Sequence, residues 1–240
     1  MTESAGTSAH RETHPKTDPA TRPASQPETR PETRRERLRR ELTADILRIA
    51  RRQLAEAGHG AVTWRAIARE LGMNPASLYT YFDSLDDLFT GLILESYQRL
   101  AAAVDGAFQA SEPTTHDERV ERLMACAHAF RQWAVDHPAE FNLIFTDQIP
   151  GYAAPPAGPT YDAEMAVLDP LVKAAAALQG TTADPRAVSA SAESDVDAVL
   201  GAWATMHGLV SLEVNHHLPD GDAAQRFDRI IRATVSALGG

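Results

Sequence analysis

Cysteine is nearly absent from this sequence. Cys126 stands alone, so no intrachain disulfide can form and a reducing, cytoplasmic setting is expected. Aromatic residues make up only 6% of the chain. Alternation of Val, Ile, Thr and aromatics with polar residues never persists beyond a few positions, which leaves little material for a sheet. No apolar run approaches the ~18–20 residues of a membrane span, and the polar, proline-rich amino terminus lacks the apolar stretch of a secretory leader. A phosphate-cradling glycine loop, G-x-S-x-G and Cys-x-x-Cys are all missing. Glu213-x-x-His216 has the spacing of a di-iron bundle ligand pair, but it occurs once where two copies are needed. The sequence therefore predicts no enzyme, no metal and no cofactor.

The chain does have alanine in abundance and an apolar share of 43%, ample for a helical core. An all-α fold is expected. The net charge is −10, which alone would argue against a polyanionic partner. Its distribution reverses that. Residues 34–82 carry ten arginines against five acids, a net +5, whereas residues 83–240 carry nine basic against twenty-three acidic side chains, a net −14. A basic segment on an acidic body is an electrostatic footprint for nucleic acid, with a solvated charged face as the plainer alternative.

The most informative stretch is Val62 to Phe82. Thr63 can cap a helix in which Ile67 and Leu71 share a face, and Gly72 can end it. Asn74 and Pro75 suit the start of a second helix, with Leu78 and Phe82 at the next apolar spacing. That second helix turns Ala76, Ser77, Tyr79, Thr80 and Tyr81 outward. It carries no acid and is rich in hydroxyls, as a reader of phosphates and base edges requires. The bland reading is a helical hairpin in which the two tyrosines simply help pack.

The remainder reads as a string of helices. Residues 1–33 have the composition of a disordered tail. The arginine run 34–40 is either the first turns of a helix or a flexible arm to phosphates or a minor groove. A firm helix spans 41–57, and a long one runs from Ser84 to about Gln109. Helices near 115–136, from His137–Pro138 through Phe145, at 161–178, at 195–217 and from about Phe227 to Leu238 follow, with a Pro/Gly loop at 149–160. The domains expected are therefore 1–33 tail, 34–83 helix-turn-helix head, and 84–240 helical body. Gly201, Ala204 and Gly208 form a small-residue stripe in the helix at 195–217. Each interior glycine costs roughly 1 kcal/mol relative to alanine, and close approach of another helix would offset that.

These motifs resemble the TetR family of bacterial repressors. The match covers about residues 40–95. It runs through Ile46, Leu47, Ala50, Leu54, Gly58, Thr63, Ile67, Ala68, Gly72, Ser77, Leu78, Tyr79, Tyr81, Phe82, Ser84 and Leu88. Trp203-x-x-x-His207-Gly208 also resembles a Trp-His-Gly motif in the carboxy-terminal domain of one TetR subgroup. The chain departs from the family at Leu85, where a phosphate-contacting lysine is usual, followed by Asp86 and Asp87.

The resemblance implies a homodimeric repressor of operator DNA, with a body that binds a small apolar effector. The DNA-binding set expected is Thr63, Trp64, Arg65, Asn74, Pro75, Ala76, Ser77, Tyr79, Thr80 and Tyr81. The pocket set is Met124, Phe130, Trp133, Phe141, Phe145, Met165, Trp203 and His207, with His207 alternatively a satisfied polar group of the core. The dimer set is Gly201, Ala204, Gly208, Phe227, Ile230, Ile231 and Thr234. The rival reading is an all-helical small-molecule-binding protein or enzyme whose helix-turn-helix no longer reads DNA.

Overall fold

Local capping explains where the chain begins to fold. In the computed structural model, which describes residues 32–146, 149–152, 158–180 and 193–238, Thr33 starts helix α1 (Arg34–Ala57). Its hydroxyl accepts a bond from the Glu36 amide at 3.2 Å, and the Glu36 carboxylate accepts one from the Thr33 amide at 2.7 Å. This reciprocal box makes the arginine run helical. The expected tail lies almost wholly outside the described residues.

A 3-10 turn (His59–Ala61) leads to α2 (Trp64–Leu71) and α3 (Pro75–Leu78). These elements close on Ile46, Ile49, Ala50, Leu54, Val62, Ile67, Leu78 and Phe82, all buried. Together they form a small head. α3 is shorter than the expected helix to Phe82. After Leu78 the amides of Thr80 and Tyr81 bond three residues back, to Ser77 and Leu78, so the chain tightens into turns.

α4 (Leu85–Gln109) starts on Ser84, whose Oγ accepts from the Asp87 amide at 3.0 Å. At ~1.5 Å per residue it is over 35 Å long, and it joins the head to the body. Gly91 sits where they meet. A Cβ there would come within 3.2 Å of both Leu47 and Phe82, so the glycine allows α4 to nest against the head.

The body comprises α5 (His116–Asp136), α6 (Pro138–Phe145), α7 (Pro159–Leu178), α8 (Glu193–Val214) and α9 (Ala223–Leu238). α4 packs chiefly on α7 and α5, and α9 lies across α5 and α8. α7 begins two residues before the expected start because Pro159 fits the first turn, where no amide is required. Pro170 lies buried inside it. α8 ends at Val214, ahead of the expected Asn215–His217, and His216 takes φ 59° in the turn that follows. Cys126 is fully buried on α5, and desolvation pushes its thiol up to about 11. The chain between α7 and α8, residues 181–192, falls outside the described residues.

Candidate nucleic-acid interface and body cavity

Three caps aim the reader. Thr63 Oγ1 accepts from the Ala66 amide at 3.2 Å and sets the start of α2. Gly72 ends it at φ 65°, a conformation side-chain-bearing residues rarely adopt. Asn74 Oδ1 then accepts from the Ala76 amide at 2.9 Å, with Pro75 as the first helical residue. Leu78 points inward, fully buried. Ala76, Tyr79 and Thr80 are consequently exposed, Tyr79 by 51%.

The neighbours of these residues are equally specific. The Tyr79 ring rests against Trp64 with centroids 5.4 Å apart. Thr80 Oγ1 donates to the Ser77 carbonyl at 2.8 Å, which leaves its oxygen lone pairs free to accept. Ser77, Tyr81 and Trp64 are half-buried, and Thr63, Arg65, Asn74 and Pro75 are exposed. All ten expected residues thus lie on the head around α2 and α3. Leu85, in the position where the family has lysine, is half-buried and packs against the core. A contribution missed from sequence comes from α1, where Arg39 places its guanidinium over the Tyr81 ring, 5.5 Å from the centroid. The visible signal was Thr33 three residues before Glu36, a capping pattern hidden by the composition of the tail.

The body holds a cavity of about 330 Å³ between α5, α7, α8 and α9. Leu123, Met165, Leu171, Trp203, Met206 and Val235 are among its walls. Among the described lining residues the one hydroxyl is that of Thr234, which already donates to the Ile230 carbonyl at 3.0 Å. Of the expected pocket residues, only Met165 and Trp203 line this cavity. Met124, Phe130, Trp133, Phe141, Phe145 and His207 do not.

The reason is packing. Phe130 lies 6.0 Å from Phe141, 6.0 Å from Phe145 and 5.4 Å from Trp203, and His207 lies 5.0 Å from Phe145. The rings fill the space between α5, α6 and α8 with one another. Met124, Phe130, Trp133 and Phe141 are all buried in the core. Among the described residues nothing satisfies His207 either: its Nε2 is buried with no partner there, and desolvation holds its pKa below the ordinary value.

The expected dimer residues divide in the same way. Gly201 and Ala204 are exposed, Gly208 is half-buried, and a Cβ added at either glycine meets nothing within 4 Å. Leu200 and Leu212 flank this stripe, exposed by 58% and 43%. Phe227 and Ile231 correct the expectation, since both are buried within their own chain. With Val235 they form an i, i+4, i+8 stripe that α9 turns into its own body. Ile231 and Thr234 line the cavity instead, and Ile230 is half-buried. Glu213 is engaged by Arg131, whose Nε donates to Oε2 at 2.7 Å. Among the described residues no group of three or more metal-ligating side chains occurs, and no helix is long and apolar enough to cross a membrane.

A capped helix-turn-helix head on a long connecting helix and an all-helical body defines a class of regulatory protein. The comparisons narrow it. Residues 46–92 match the family model described as bacterial regulatory proteins, tetR family, and residues 123–234 match the tetracyclin repressor-like C-terminal domain. A crystal structure described as "putative regulatory protein SCO4313" is 30% identical, covers 86% of this chain and 98% of its own, and has a TM-score of 0.68. A Rhodococcus sp. RHA1 protein of unknown function is 22% identical, covers 90% and 100%, and has a TM-score of 0.67, which speaks for the fold alone.

HTH-type transcriptional regulator Rv1816 of Mycobacterium tuberculosis is 40% identical over 116 residues, 48% of each chain. The match therefore spans about half the length of that relative. The chain belongs to the TetR family, whose members are transcriptional regulators and not enzymes.

Proposed function

We propose that the chain is a homodimeric, sequence-specific DNA-binding transcriptional regulator, a repressor released by a small apolar ligand. The observation that carries this reading is the outward set Ala76, Tyr79 and Thr80 over an inward Leu78, in a head with a net charge of +5. Ala76, Ser77 and Thr80 would face bases. Thr63, Trp64, Tyr79 and Tyr81 would face phosphates and sugars, with Arg65, Asn74 and Pro75 at the margin. Two heads would sit ~34–36 Å apart to meet successive major grooves.

The open stripe Gly201–Ala204–Gly208 supports a paired α8 as the dimer contact, with Ile230 beside it. The cavity supports an effector that is neutral as well as apolar, because none of its described lining side chains is ionisable and burying an unpaired charge there would be costly. Such a molecule shifts DNA affinity only by its differential affinity for two body shapes. In this reading the head ends at Asp83, the body begins at Ser84, and the protein works in the cytoplasm. The rival reading draws on Leu85, Asp86 and Asp87; of these, Leu85 packs against the core, which accounts for an apolar residue in that position.

Selection of bound fragments from a random duplex pool tests this reading. A two-fold symmetric motif should emerge, and its affinity should fall steeply with salt as phosphate contacts release counterions. Failure to enrich any duplex at low salt would favour the rival.

A further inference from the structure

We propose that the first two turns of α1 form a second phosphate-binding wall beside the reader, with Arg34 and Arg35 as its anchors. The inference rests on the DNA-binding reading and extends it to a surface outside the helix-turn-helix.

Four observations converge on this surface. The capping box of Thr33 and Glu36 fixes the start of α1, so these arginines project from a rigid helix and not from a loose arm. Hydrogen bonds from Thr33 hold the Glu36 carboxyl below its usual pKa, so the box keeps that acid ionised and engaged. An open groove of roughly 810 Å³ runs between this part of α1 and the end of the reader. Arg34, Arg35 and Arg39 line one wall, and Thr80 and Tyr81 the other. Arg39 ties the walls together by placing its guanidinium over the Tyr81 ring.

Charge is sorted within the groove. Among the described residues neither Arg34 nor Arg35 has an ion-pair partner. Glu41 and Asp45 lie further along α1, and Asp45 is paired with Arg48 at 3.0 Å. Arg37 and Arg40 belong to the same run but do not line the groove, and Arg40 is paired with Glu32 at 2.8 Å. The cations without an ion-pair partner among the described residues therefore sit at the start of α1, in a groove that Thr80 also lines. A duplex seated on the reader would present its next backbone phosphates there. Guanidinium groups recognise phosphate oxygens by paired N–H donors. Such contacts position the protein but carry no base information.

The test compares two double variants on full-length protein, each checked for an unchanged melting temperature. Arg34→Ala with Arg35→Ala removes the wall. Arg37→Ala with Arg40→Ala removes equal charge away from it. DNA affinity is measured against salt for a selected site and for a scrambled duplex. Loss of two phosphate contacts per protomer, four in the homodimer's complex, should lower the slope of log affinity against log salt by about 3.6 and weaken both duplexes by the same factor. The second pair should change the slope by less than half as much.

Equal slopes for the two pairs would overturn the wall in favour of a diffuse field, and so would a wild-type slope in the first pair. If the unaltered protein binds no duplex at any salt, the DNA reading itself falls and the wall falls with it.

Discussion

Arg51 on α1 and Glu140 on α6 stand 3.6 Å apart in the joint between head and body. Glu140 is also bonded by Arg99 at 2.7 and 2.8 Å and approached by Ser96 Oγ at 3.3 Å. Arg99 reaches His137, and Arg51 also contacts Glu95. One buried carboxylate thus holds arginines from two helices, with the head on one side and the body on the other.

Glu140→Ala should leave both arginines short of their shared partner. Removing one member of a buried pair costs ~3–5 kcal/mol. Because Arg99 keeps a third of its surface exposed, about 3 kcal/mol is expected here. Chemical unfolding measures it. A loss below about 1 kcal/mol, the scale of a surface pair, would mean the cluster is solvated and does not clamp the joint.

Tyr79→Ala should weaken operator binding without unfolding the head, since the side chain is half exposed and touches chiefly Trp64. A lost hydrogen bond to a charged phosphate is worth about 1.5 kcal/mol or more, roughly tenfold in affinity. Unaltered affinity in a salt-matched gel shift would remove Tyr79 from the contact surface.

Gly208→Leu separates the two roles of α8. Nothing within 4 Å would meet a Cβ at that position, so the single chain should fold as before. A second α8 packed on the stripe would be pushed away. Sedimentation should then show half the wild-type mass with helicity unchanged. A dimer that persists with unaltered stability would place the contact elsewhere.

His207 should make the body acid-sensitive. Burial lowers its pKa from the ordinary 6.5, so the unfolded chain takes up the proton first as pH falls. Its contribution is intact above that ordinary value, declines as pH drops through it, and levels off below the folded pKa. Replacing His207 by Phe, within a set of rings that already includes Phe141 and Phe145, should flatten the decline in melting temperature between pH 6.5 and 5. An identical slope in the variant would assign the decline to other groups.

Legibility in the sequence followed range. Thr63, Asn74 and Ser84 accept from amides two or three residues away, and the Gly72 amide donates to carbonyls three and four residues back, so these caps could be read directly and the reader with them. The small-residue stripe was readable because spacing alone decides which side of a helix it shares. Phe130 and Phe141 were misplaced because residue type does not say whether a neighbouring ring or an empty volume lies opposite; that depends on α5, α6 and α8 meeting. Phe227 and Ile231 failed for a related reason. An amphipathic terminal helix has one apolar face, and only the fold shows whether its own body or a partner covers it. The Arg51–Glu140 contact joins distant helices and left no local pattern at all.

Cys126 bears on how such a regulator can be controlled. Its sulfur is sealed inside α5 and its proton is held to about pH 11, so almost no thiolate is present for an oxidant to attack. Peroxide and disulfide reagents therefore find little thiolate to react with at Cys126 in the native fold. Under the proposed release by a ligand, the signal would be non-covalent occupancy of the body and not oxidation of Cys126.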